Sequence, residues 1–152
     1  MMEFLVQTLY AAGATFGFTI LFNTRRFESF VASLSGGLGW LVYLIVLDKT
    51  GSLFEANLLA AAFVGVISEV SAKLFKKPAT LFIVSAIIPL VPGALIYKTM
   101  ASAISGSHSE SLTVGMDTLL IAGAIAAGLA FSSSIMKVLF SLRKPRHGLS
   151  RR

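Results

Sequence analysis

Cysteine is absent from the 152 residues, and histidine occurs only twice. Disulfide frameworks, thiol catalysis and cysteine-based metal sites are thereby excluded, and a histidine-rich metal site has too few ligands. Charge is scarce as well: 13% of the residues are charged, against about 25% in an ordinary soluble domain. With 55% hydrophobic residues and a mean hydropathy of +0.82, the chain lacks the polar surface needed to coat a globule. A soluble enzyme of this size is excluded, and composition describes an integral membrane domain. The thirteen Lys and Arg outnumber seven Asp and Glu, but no aromatic or motif support for nucleic-acid binding accompanies them. Gly36-Gly37-Leu38-Gly39 has no Lys-Ser/Thr after it and is no phosphate loop. No cofactor is expected.

What the chain has instead is five apolar runs, over residues 4–22, 30–47, 53–72, 79–97 and 114–136. Each is close to the ~20 residues that cross about 30 Å of hydrocarbon as a helix. Short connections at 23–29, 48–52, 73–78 and 98–113 hold most of the Arg, Lys, Pro and Asp. The acidic Glu3 and the lack of an early basic residue argue against a cleaved leader, so the first run is expected as a mature helix. Arg25 and Arg26 follow run one, Lys73, Lys76 and Lys77 follow run three, and Lys137, Arg143, Lys144, Arg146, Arg151 and Arg152 follow run five. Only Lys49 and Lys98 fall on the alternate side. The positive-inside rule then gives an all-α protein of five transmembrane helices, N-terminus outside and C-terminus cytoplasmic. Residues 1–140 are read as one membrane domain and 141–152 as a basic cytoplasmic tail attracted to anionic lipids.

Within the runs, Gly13 and Gly17, the cluster Gly36, Gly37 and Gly39, and Ala122, Gly123, Ala126, Gly128 and Ala130 predict close helix packing. The most informative stretch is Ile87-Ile88-Pro89-Leu90-Val91-Pro92-Gly93, at the centre of run four. Pro89 has no N–H for the Ser85 carbonyl, and Pro92 has none for that of Ile88. Carbonyls left bare in hydrocarbon need protein, water or a ligand, and Gly93 permits a bend. The fourth helix is therefore expected to break between Pro89 and Gly93, at the bilayer midplane, as helices lining transporter substrate sites do. Ser85, Pro89, Pro92 and Gly93 are the candidate substrate-binding residues there. Asn23 and Arg26 are candidates to meet a carboxylate at the cytoplasmic mouth, with a helix C-cap as the alternative for Asn23. Glu69 is the candidate proton carrier; otherwise it pairs with Lys73 four residues on. Asp117 is read as a dipole-complementing carboxylate, and Trp40 and Tyr43 as packing residues.

Several stretches together resemble the threonine/serine exporter family, in particular its small membrane half. They are Phe22-Asn23 with Arg26, Gly39-Trp40-Leu41-Val42-Tyr43, Ser68-Glu69, Lys77-Pro78-Ala79, the run from Ile87 to Gly93, and Tyr97. The resemblance implies a gradient-driven exporter of small hydrophilic metabolites, threonine and serine or a dicarboxylate such as succinate, in the cell inner membrane. It also implies a larger membrane subunit as partner. A non-transporting membrane scaffold or regulatory subunit is the alternative reading, and an enzyme is not expected.

Overall fold

The fold, a computed structural model, is described for residues 2–142, so the basic tail from residue 143 onward lies outside the described residues. The described residues are helical and contain no strand. Helix α1 spans Met2–Leu21, and Asn23, at φ +53°, turns the chain while Thr24 N–H reaches back to the Thr19 carbonyl. Helix α2 spans Arg26–Thr50 and ends on Gly51 at φ +66°, the left-handed conformation a glycine adopts without Cβ strain. Helix α3, Leu53–Phe75, starts where the Ser52 hydroxyl accepts the Glu55 N–H and stops at Lys76. After Pro78 comes α4, Ala79–Ala86, then one 3₁₀ turn, Ile88–Leu90, and α5, Gly93–Ile104. Helix α6, His108–Leu142, is the longest at 35 residues.

Four helices, α1, α2, α3 and α6, are each long and apolar enough to cross a membrane, and the pair α4–α5, bent by 57°, is the fifth candidate. Residues 98–113, expected as a connection, are instead nearly all helical, leaving a turn of Ser105, Gly106 and Ser107. Polar groups there bind one another rather than water: Lys98 pairs with Glu110 at 3.1 Å, and the Ser111 hydroxyl donates to the Thr99 carbonyl at 2.9 Å.

Close packing uses only some of the small residues. A Cβ on Gly36 would strike Thr15, one on Gly39 would strike Val64, and one on Gly128 would strike the Leu58 carbonyl. Gly13, Gly17 and Gly123 face open space, so their motifs do not pack this chain on itself. The reason is register: the small positions on α1 and α6 form more than one stripe, and one stripe of each faces the core.

The pairing of α3 with α6 fixes the topology. Gly128 lies against Leu58 and Ala62, Gly65 against Ser132, Ser133 against Glu69, and Lys73 against Phe140. Numbers rise together on both helices, so α3 and α6 are parallel, and α4 with α5 returns the chain from one end of the bundle to the other. The turns after α1 and α3 and the end of α6 therefore share one end, with Arg25, Arg26, Lys73, Lys76 and Lys77 gathered there. The turns after α2 and α5 share the other. Helix α5 packs on α6 and has no comparable contact with another helix.

Candidate functional site

Backbone bonds tighten from i−4 (Ile87 N–H to Ile83) through i−3 (Leu90 to Ile87, Val91 to Ile88) to i−2 (Gly93 to Val91). The Ile88 carbonyl, expected bare, thus accepts from Val91 at 3.2 Å, because a 3₁₀ turn brings a donor one residue earlier than an α-turn. The Ser85 carbonyl still faces Pro89, which has no N–H to give. A cavity of about 220 Å³ adjoins the break, lined by Pro89, Pro92 and Gly93 together with Trp40, Tyr43 and Asn57. The Trp40 and Tyr43 rings lie 4.8 Å apart between centroids, inclined by 30°. Asn57 is buried, and one of its amide N–H groups donates to the Leu53 carbonyl at 2.8 Å. Aromatic faces, an amide and tightened backbone thus line one cavity.

The cavity reaches Leu53 and Asn57 in the first turns of α3, while Leu90 of the break packs farther in, with Ala60, Ala61 and Val64 of the same helix. Beyond the break the element runs on as α5 to Ile104.

Pro89, Pro92 and Gly93 are brought together as expected, and Ser85 lies one turn below them, fully buried, its hydroxyl without a hydrogen-bond partner. Asn23 and Arg26 are at the opposite, basic end and exposed, beside a cavity of about 270 Å³ lined by Phe22, Thr24, Thr80, Leu81 and Val84. Glu69 is half-buried and accepts the Ser133 hydroxyl at 3.0 Å, while Lys73 holds its ammonium 3.5 Å from the centre of the Phe140 ring. The Glu69–Lys73 pair expected from spacing is absent among the described residues. Asp117 is exposed on α6.

Sequence reasoning missed four residues. Asn57 is the lone amide in an apolar run, a signal that was there to read. Glu28, 7% exposed, begins α2 and lies 3.9 Å from Lys77, hidden from notice because it falls in a stretch read as a connection. Ser35 and Ser68 are buried with unpartnered hydroxyls, and nothing in their local sequence marks them.

The family described as Threonine/Serine exporter, ThrE, matches the chain over residues 7–135. A protein of Haemophilus influenzae named only as uncharacterized is 26% identical over 153 residues, covering 95% of this chain and 50% of that relative. The chain thus spans about half the length of the curated relative it matches. No solved structure matches it.

Proposed function

This chain belongs to the threonine/serine exporter family, and on that premise we propose that it is one membrane half of a secondary transporter for small hydrophilic metabolites. Threonine and serine are the first candidate substrates, and a small dicarboxylate such as succinate the second. The observation that carries the reading is the broken helix beside a cavity lined by Trp40, Tyr43 and Asn57. Residues 1–140 act as one domain of five spans, α4 with α5 being the fourth. The basic end faces the cytoplasm by the positive-inside rule, with the tail against anionic lipids, in the inner membrane. The cavity at the break then opens toward the outside, and Asn23 and Arg26 stand at the cytoplasmic entrance. Glu69, which accepts the Ser133 hydroxyl, carries the coupled proton. A larger membrane subunit completes the transporter, consistent with a relative twice this chain's extent.

The test is efflux from cells preloaded with labelled threonine, serine and succinate, with this chain alone, with the larger subunit, and with Pro89 and Pro92 replaced by alanine. Efflux that needs both subunits and is lost in the proline variant at equal membrane level is the expected result. Absence of efflux for every solute, with the two subunits still recovered together, would make the chain a scaffold. Glu69→Gln should flatten the pH dependence of export in a well-inserted protein, and an unchanged profile removes Glu69 from that role.

A further inference from the structure

The closed part of the molecule lies between α2, α3 and α4, which all pack on one another. Toward the basic end, Ala32, Ala72 and Phe82 form one apolar cluster, sealed by Phe75 against Phe27 and Phe82, with ring centroids 5.5 Å and 5.9 Å apart. Toward the break, Val64, Ala86 and Leu90 belong to a second apolar cluster, and Gly39 abuts Val64. One helical turn from each member of the first cluster, toward the second, stand Ser35 on α2, Ser68 on α3 and Ser85 on α4. They are 2%, 0% and 0% exposed, and their fully buried hydroxyls have no hydrogen-bond partner.

Most hydroxyls of the bundle that bond at all bond to backbone carbonyls. Thr15 donates to the Ala11 carbonyl at 2.9 Å, Thr118 to Val114 at 2.7 Å and Ser134 to Ala130 at 2.8 Å, the usual way a helix satisfies a hydroxyl in an apolar setting. A carbonyl one turn back is within reach of every helical serine, yet these three do not take theirs. Three bare hydroxyls in one closed layer are unfavourable unless something polar visits them. Ser85 adds its carbonyl, which Pro89 leaves without a donor one turn on.

We infer that the seam between α2, α3 and α4 is the closed translocation path of the transporter, with Ser35, Ser68 and Ser85 as its polar lining. This rests on the transport reading above and extends it from the open cavity to the route. The path leads from the Glu28–Lys77 ion pair at the basic end, past the aromatic cluster, through the serine layer, to the cavity at the break. A hydroxyl both donates and accepts, so the layer passes a solute carrying both an ammonium and a carboxylate. It offers no cation to a dianion: Lys77 stays at the mouth and Lys73 lies on Phe140.

The absence of cysteine gives a clean background. S35C, S68C and S85C, expressed with the larger subunit, are challenged with a cationic methanethiosulfonate during threonine export. A61C, equally buried but packed beside Gly128 of α6, serves as the static control. The serine-site cysteines are expected to react at least tenfold faster than A61C, and excess threonine should slow them. Labelling no faster than A61C in a complex that exports overturns the seam and leaves the transport reading standing; a wild-type complex that exports nothing overturns both. A second arm uses Ser68→Ala and Ser85→Ala, which remove an oxygen without adding bulk. Export is expected to fall at least tenfold at equal membrane level. Unchanged export together with higher thermal stability would show idle hydroxyls in a static core and overturn the inference.

Discussion

Replacing Gly128 with alanine should unseat α6 from α3. The added Cβ would meet the Leu58 carbonyl oxygen, and would lie 2.9 Å from the Ala62 nitrogen and 3.1 Å from the Ala61 Cβ. Two of those neighbours are backbone atoms locked in α3, so relief must come from the helices moving apart rather than from a side chain turning. Overpacking of this sort costs about 1–3 kcal/mol. Alanine recovers up to about 1 kcal/mol of helix propensity over glycine. The net loss is about 1–2 kcal/mol, a roughly 5- to 30-fold fall in the folded-to-unfolded ratio. Titration of the detergent-solubilised protein with dodecyl sulfate, followed by the fluorescence of its single tryptophan, measures it. Gly123→Ala is the companion: nothing lies within 4 Å of its Cβ, so the same propensity gain comes without a clash. Gly128→Ala as stable as Gly123→Ala would refute the packing argument.

Gly51→Ala forces a Cβ onto a residue at φ +66° and should lower stability by about 1–2 kcal/mol in the same titration, whereas Ser52→Ala loses only one cap hydrogen bond, about 1 kcal/mol. Phe82→Ala loses a fully buried ring at the basic end and leaves a void, and should cost about 3–5 kcal/mol. Lys98→Ala breaks an ion pair whose side chains are both half exposed, and unfolding should shift by about 0.5 kcal/mol or less. Trp40→Leu removes an aromatic wall of the cavity, and threonine export at equal membrane level should fall several-fold; unimpaired export would place the solute elsewhere.

The break was legible because it is a matter of covalent chemistry. Pro89 and Pro92 lack N–H groups wherever they sit, so the ladder must change there. The helices that share its cavity were not legible, because that is set by register between helices, and hydropathy along one run carries no register. The same limit explains residues 98–113, where Lys98, Glu110 and several serines look like a loop until their partners across the turn are seen. Gly13 and Gly17 have the spacing of a packing motif, and only the neighbouring helix decides whether the stripe is used. Ser35 and Ser68 are ordinary residues of membrane helices. What distinguishes them is a missing partner, which belongs to three helices at once and to no single stretch of sequence.

The 57° bend makes α5 a lever with its fulcrum at Pro92. Twelve residues of helix form an arm of about 18 Å, packed mainly on α6. A swing of about 10° displaces the far end, at Ile104, by about 3 Å, as arm length times angle. Its near end, Gly93 to Leu95, forms part of the cavity wall and hardly moves. Small adjustments at the cavity wall would thus be magnified at the tip of the hairpin, and a load applied at the tip would act on the cavity with the reverse mechanical advantage.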